Sequence, residues 1–413
     1  RAHRPRPRRA AWLLGPALVA GVAYLDPGNV ASNMTAGARF GYLLVWVVVL
    51  GNVMAWLIQY LSAKLGIITG QSLAETLGKR IGNNGARRAY WLQAELVAMA
   101  TDIAEVIGGA VALWLLFGVP LPISGLITGA VSIGMLLFQQ RRGARSFEFV
   151  VIGLLAVIAL GFTYGVFVAP PDAAGIAAGL VPRFEGSESV LLAASILGAT
   201  IMPHAIYAHS ALARDRFTSP TSHAADRSAG TRRLLRATRW DVTIALAIAG
   251  TVNLCILLLA AANLAGVAGT DTLEGAHAAL DTGLGGAVAT LFAVGLLASG
   301  LASTAVGAYA GAEIMQGLLR VRIPLIVQRL ITLIPALVLL TAGVDPTWAL
   351  ILSQVVLSFG IPFALIPLVV LTARRAVLGV HRNRWWTTTA GVVASVFLVG
   401  LNGVLLWLVL SGA

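Results

Sequence analysis

Charge is scarce in this sequence. Asp, Glu, Lys and Arg make up 11% of its 413 residues, against about a quarter in a soluble globular chain. So few charges cannot wet the surface of a globule this size, which excludes a soluble enzyme and a disordered chain. Cysteine is nearly absent. A single residue, Cys255, permits no intrachain disulfide and no zinc-thiolate cluster; it lies in an apolar run and reads as small core filler. There is no P-loop, no Ser/His/Asp or His-rich hydrolase spacing, and no polar stretch long enough for a catalytic domain, so a membrane enzyme is excluded too. What is present in excess is apolar: 58% of residues are hydrophobic and the mean hydropathy is +0.85. The chain reads as an all-α integral membrane protein.

A bilayer core needs about 20 apolar residues per helix. Eleven candidate spans lie near 11–37, 42–66, 88–117, 122–139, 147–169, 188–213, 238–263, 284–318, 323–343, 346–373 and 385–411. None shows the strict alternation of a barrel strand. The net charge of +12 does not signal nucleic acid, because the basic residues gather in the short gaps between spans. With the N-terminus in the cytoplasm, the basic tail, the gaps after the even-numbered spans and Lys64 at the inner end of span two hold 26 of the 29 Lys and Arg. Arg39 and Arg183 fall outside, and Arg329 alone lies well within a span. This asymmetry predicts a multi-pass membrane protein, N-terminus in and C-terminus out. The first span is too long, and too charged, for a cleaved signal peptide. The longest polar stretch, 214–238, reads as a solvated cytoplasmic loop, and a single transmembrane domain is expected.

Two spans are interrupted. Span one reads GVAYLDPGNVASNM, with Asp26-Pro27-Gly28-Asn29 at mid-depth; span six reads LGATIMPHAIYAHS, with Met202-Pro203-His204 at mid-depth. Proline removes a donor and clashes with the preceding turn, so both helices must kink or unwind. Irregular backbone at that depth is tolerated only where it lines a cavity or a site. The breaks lie five spans apart, and an odd number of spans inverts the second copy. Paired broken helices in inverted repeats point to the binding site of a secondary transporter. Spans 1–5 (about 11–169) and 6–10 (about 188–373) are therefore read as repeats, with an added helix at about 385–411.

The side chains at the breaks are a carboxylate (Asp26), an amide (Asn29) and a thioether (Met202), with unwound carbonyls expected near Ala23 and Ala199. A carboxylate calls for a cation. Amide and carbonyl oxygens suit hard ions, whereas a thioether favours only a polarisable metal. The set suits Mn²⁺, Fe²⁺, Co²⁺ or Cd²⁺ rather than Na⁺, Mg²⁺ or Ca²⁺.

DPGN in span one and MPH in span six, with WLQAELVAMATDIAEVIGGAVAL in span three and SQVVLSFGIPFALIPL in span ten, resemble the Nramp family of proton-coupled divalent metal-ion transporters, in its bacterial manganese-transporting branch. The resemblance runs along essentially the whole chain. It implies a LeuT-type fold, a 5+5 inverted repeat plus an eleventh helix, and proton-coupled metal uptake by alternating access. It implies that Asp26, Asn29 and Met202 bind metal through side chains and Ala23 and Ala199 through carbonyls, with Gln354 joining in some states. A magnesium-transporting side branch lacks the methionine, so Met202 argues against it. One departure is visible: where the family often carries a GQSST-like segment, span eight reads Gly300-Leu301-Ala302-Ser303-Thr304.

Span three carries Glu95, Asp102 and Glu105, which fall at about 0°, −20° and −80° around a helix. Three acids on one face are too costly to meet lipid and must face the bundle interior. A stripe of acids with one buried arginine reads as a proton relay. The resemblance implies that His204, Glu105, Asp102 and Arg329 form the polar path from the metal to the cytoplasm, with Asp26 both ligand and proton acceptor. His209 points elsewhere and is expected to line the inner vestibule. Asn52, Asn253 and Asn402 are expected to join helices. The partners expected are the metal, protons and the bilayer, without nucleic acid or a permanent cofactor. Two rival readings exist, a LeuT-type carrier of a small organic substrate such as an amino acid, and an uncoupled metal uniporter.

Overall fold

The computed structural model describes residues 16–411 except 143, 218–226 and 322. The basic tail, the first residues of the expected first span (11–15) and the middle of the expected 214–238 loop lie outside the described residues. Among the described residues every regular element is helical. The first span is α1 (Pro16–Val22), a 3-10 turn (Ala23–Leu25) and α2 (Pro27–Phe40). There follow α3 (Val45–Thr69), a short α4 (Leu73–Arg80), α5 (Asn84–Phe117), α6 (Leu121–Arg142), α7 (Ala144–Val168) and a short α8 (Ala173–Gly179). The sixth span is α9 (Gly186–Thr200) and α10 (Pro203–Phe217), and the chain continues through α11 (Arg227–Asn263), α12 (Leu273–Leu284), α13 (Gly286–Ile314), α14 (Leu325–Thr341), α15 (Pro346–Ala373), a short α16 (Arg375–Leu378) and α17 (Trp385–Ser411).

Both interruptions fall where proline put them. Among the described residues, eight helical segments are long and apolar enough to cross a bilayer, and two shorter apolar ones, Leu121–Met135 and Ile326–Thr341, stand at expected spans four and nine. The first span, cut at Asp26, is two pieces too short to qualify alone. Elsewhere the helices overrun the hydrophobic boundaries. Helix α10 continues to Phe217 and α11 begins at Arg227, so the expected 214–238 loop is largely helix at its two ends. Hydropathy marks where apolar surface stops, whereas Arg, Ala and Leu sustain a helix in water. Helix α4 lies between spans and is capped by Ser72 and Glu75 in a capping box.

Glycines let the helices of the bundle approach closely. A bilayer gives helices no hydrophobic drive to associate, so close packing of backbones supplies the cohesion. A Cβ on Gly66 of α3 would sit 2.1 Å from the Ser210 carbonyl of α10, and one on Gly37 of α2 would sit 2.4 Å from the Leu257 carbonyl of α11. Large apolar side chains such as Phe149, Phe167, Trp407 and Leu410 instead point outward, where lipid receives them. Helices α2, α5, α9, α10 and α15 meet around the two breaks.

Candidate functional site

Asp26 has the extended backbone of a helix cap (φ −69°, ψ 164°), and its carboxylate accepts from the Asn29 backbone N–H at 2.8 Å. The break is thereby also an N-terminus, with donors aimed at a negative charge. Two of the carbonyls freed by the break are met by other helices. Asn253 of α11 donates to the Tyr24 carbonyl at 2.9 Å, and Ser299 of α13 donates to the Leu25 carbonyl. The Ala23 carbonyl accepts from the Asp26 N–H at 3.3 Å.

The second break faces the first. Asn29 Nδ2 donates to Asp26 Oδ1 at 3.1 Å and to the Ala199 carbonyl, at the end of α9, at 2.8 Å. Gln354 Nε2 of α15 donates to Asp26 Oδ2 at 3.1 Å. Four of the six sequence-predicted ligand residues are therefore joined in one chain of contacts spanning three helices. Ala23 is bound to it through the Asp26 N–H, and Met202 is fully buried at the second break without a hydrogen bond to the others. Two buried acceptors, Asn29 Oδ1 and Gln354 Oε1, have no protein partner. One turn away, Ser32 and Ser195 hydroxyls lie 2.6 Å apart and Ser195 donates to the Ile351 carbonyl at 3.1 Å. These serines fasten α2, α9 and α15 together.

Two glycines permit this approach. A Cβ on Gly28 would lie 1.8 Å from Gln354 Nε2, and one on Gly198 would lie 1.9 Å from the Gln354 carbonyl. The first obstruction is the tip of a flexible side chain, the second is backbone. Gly198→Ala is therefore expected to lower the unfolding temperature in detergent clearly more than Gly28→Ala, which should displace Gln354 and leave the bundle folded. Equal destabilisation, read by thermal unfolding of both variants, would contradict this account.

The acid stripe of α5 lands on α14. Arg329, fully buried, donates from Nη1 to Asp102 Oδ1 at 2.8 Å and to Glu105 Oε2 at 3.2 Å. Its Nε donates to Ser132 of α6 at 2.7 Å and its Nη2 to Thr304 of α13 at 3.1 Å. Thr304 closes the segment that departs from the family pattern, so that segment still serves the arginine. Glu105 Oε1 is buried without a partner. Glu95 is only partly buried and accepts from Gln328 at 3.3 Å, beside Arg329 rather than on it. His204 is buried, and its Nδ1 lies 3.2 Å from the Thr101 hydroxyl, so it reaches the stripe through a neighbour of Asp102. One turn from Glu105, a Cβ on Gly108 would lie 2.0 Å from Pro27 Cβ, which brings α5 against the residue next to Asp26. Sequence reasoning missed Thr101, Ser132, Thr304 and Gln328. Their hydroxyls and amides carry no signal until packing aims them.

The two ends of the bundle differ. At the end bearing Arg39, a cavity of about 330 Å³ is lined by Thr35, Glu188, Asp271, Asp345, Thr347 and Trp348, among others. Its walls lie about two helical turns from Asn29, Ala199 and Gln354 along α2, α9 and α15. Arg39 spans its mouth, with Nη1 2.7 Å from Glu188 and Nη2 2.8 Å from Asp271. That guanidinium holds the Asp271 carboxyl below the usual carboxylate range. On the opposite side of the break, Tyr24, Gln59 and His209 line a gap too small for a water molecule, with His209 Nδ1 2.8 Å from Gln59 Oε1. His209 is buried among these residues instead of lining an open vestibule. Asn402 of α17 donates to the Ser358 carbonyl at 2.9 Å, a helix-to-helix bond as expected.

A bundle of membrane-crossing helices, two of them broken at one polar centre with a cavity beside it, defines a multi-pass membrane transporter. The family model described as natural resistance-associated macrophage protein-like, Nramp, matches residues 17–408. The chain belongs to the Nramp family. It is 59% identical over 401 residues to the divalent metal cation transporter MntH of Mycobacterium tuberculosis (strain CDC 1551 / Oshkosh), covering 97% of this chain and 92% of the relative. The crystal structure of the Eremococcus coleocola manganese transporter, in complex with an aromatic bis-isothiourea substituted compound, superposes with a TM-score of 0.84 at 32% identity, covering 97% of this chain and 87% of that one. MhsT, solved in complex with L-phenylalanine, shares the fold at a TM-score of 0.62 with 12% identity, covering all of both chains. The fold is LeuT-type.

Proposed function

We propose that the protein imports divalent transition-metal ions, Mn²⁺ and Fe²⁺ with Co²⁺ and Cd²⁺ as further substrates, by alternating access coupled to proton entry. The observation that carries this reading is the Asp26–Asn29–Ala199–Gln354 cluster, formed only because both helices break at the same depth. The relatives named as a divalent metal cation transporter and a manganese transporter support it. In the present arrangement the amide N–H groups of Asn29 and Gln354 stand against the carboxylate as partial positive charges. Rotation of each amide would present Asn29 Oδ1 and Gln354 Oε1 to a cation held by Asp26 and the Ala23 and Ala199 carbonyls. Met202 adds the soft donor. The metal is cargo, and no resident cofactor is part of the reading.

Two carboxylates, Asp102 and Glu105, share the single guanidinium of Arg329, leaving one negative charge in excess unless a proton is bound. This balance makes the triad a store for the co-transported proton, with Asp26 as the entry acceptor, His204 beside the route and Glu95 toward its exit. The mobile part is the α1 half of the first span, uncoupled from α2 at Pro27. The repeats run over about 11–169 and 188–373. The chain is placed in the bacterial inner membrane with its basic end and N-terminus in the cytoplasm, so that the cavity beside Arg39 faces outside.

Uptake into proteoliposomes, with a metal-sensing dye and a pH dye inside, tests the proposal. Mn²⁺ and Cd²⁺ should enter with protons, whereas Mg²⁺ and Ca²⁺ should not. Entry of metal without protons would leave a uniporter. Met202→Ala should relax rejection of Ca²⁺ and Mg²⁺ more than it reduces Mn²⁺ transport, because only the thioether favours a polarisable ion. Unaltered discrimination would remove the thioether from the account. An amino-acid carrier of this fold is disfavoured by Asp26, which would repel the substrate carboxylate at the break where a helix N-terminus should receive it.

A further inference from the structure

At the basic end, Lys64 of α3 presents a problem that the transport site does not answer. It is 7% exposed, and its hydrogen bond is to a neutral acceptor, Asn383 Oδ1, at 2.9 Å. Asn383 is held in that pose by Thr372, to whose hydroxyl it donates at 2.8 Å. Among the described residues no carboxylate forms an ion pair with Lys64. The neighbouring charge that acts on it is Arg239 of α11, of the same sign. An ammonium has three donors, and two cations side by side in a half-buried groove are costly without an anion.

The surroundings specify what kind of anion. Trp56, Tyr60 and Lys64 recur every fourth residue and form one face of α3. Trp56 and Tyr60 stack with centroids 6.2 Å apart, and the Arg239 guanidinium lies 5.3 Å above the Tyr60 ring. Trp56 Nε1 donates to Thr243, one turn along α11 from Arg239, at 2.9 Å. The groove is thus graded: cations at the basic end, then tyrosine and tryptophan, then apolar surface. Val53, one turn beyond Trp56, is 60% exposed, and Ile244 beside Thr243 is 40% exposed. That order matches headgroup, interface and acyl chain, with aromatic rings at the boundary. A soluble anion needs the cations but not the apolar continuation.

We propose that the groove between α3 and α11 holds the phosphodiester of an anionic glycerophospholipid between the Lys64 ammonium and the Arg239 guanidinium, with its chains along Val53 and Ile244. Basic pockets between membrane helices on the cytoplasmic side are suited to such headgroups. The leaflet, though not the site, rests on the orientation proposed above. The lipid ties together α3, α11 and the segment between α16 and α17 that carries Asn383.

Native mass spectrometry of the full chain in non-ionic detergent, titrated with phosphatidylglycerol or phosphatidylcholine, tests this. Phosphatidylglycerol should be retained preferentially, and each of Lys64→Gln and Arg239→Gln should reduce that preference about fivefold. Arg87→Gln, an equal loss of charge at the same end outside the groove, should leave it intact. Glycerol phosphate in millimolar excess should not displace the bound lipid. Equal retention of both lipids, an effect of Arg87→Gln as large as that of Arg239→Gln, or displacement by glycerol phosphate would each overturn the proposal, the last by making this a soluble-anion site. Arg239 is exposed, so its variant decides the question even if Lys64→Gln does not fold.

Discussion

Asp26→Asn is expected to reduce Mn²⁺ uptake by at least about 100-fold while the protein stays folded. Asp26 supplies the one carboxylate of the proposed metal set, and it also caps α2 by accepting the Asn29 N–H. Those two roles can be separated. Asparagine is as good a helix cap as aspartate, so the variant keeps the cap and removes the charge. Loss of a mere supporting partner behind a metal ligand costs about 10–100-fold, and loss of the charged ligand itself should exceed that. Asp26→Ala should be equally inactive and somewhat less stable, because it removes both roles. Metal uptake by each variant in proteoliposomes, beside thermal unfolding in detergent, separates the effects. Mn²⁺ entry at the wild-type rate through Asp26→Asn would end the assignment of this centre.

Arg329→Gln should destabilise the protein by about 3–5 kcal/mol, the range seen when one partner of a buried ion pair is removed. Among the described residues the guanidinium is the only positive group bonded to Asp102 and Glu105, and it is fixed by Ser132 and Thr304 as well. Without it two buried carboxylates face each other uncompensated. The loss should be largely recovered by adding Asp102→Asn and Glu105→Gln, because the three sites are in contact and their effects are not additive. The neutral triple variant, restored in stability, should nevertheless lose metal-driven proton entry. This combination distinguishes a proton store from a structural ion pair. A triple variant that still carries protons with the metal would remove the triad from the route, and an Arg329→Gln variant as stable as the wild type would refute the burial argument.

The sequence alone determined the membrane class, the rough placement of the spans, the two breaks, the donor types beside them and the inward face of the acid stripe. Each of these is a local property. Hydropathy is summed over one span, proline breaks the helix that contains it, and Glu95, Asp102 and Glu105 share a face through helical spacing. The same locality misplaced the edges of α10 and α11, since arginine-rich helix continues into water where hydropathy stops counting. The tertiary structure decided everything that depends on a partner distant in the chain. Asn253 and Ser299 reach carbonyls 229 and 274 residues away, and Arg329 finds Asp102 across 227. Which amide edge Asn29 turns toward Ala199, and that Lys64 meets Asn383 instead of a carboxylate, follow from how close the glycine-bearing helix faces come. Those approaches are set by packing in a medium that rewards contact between backbones, and no run of neighbouring residues encodes them.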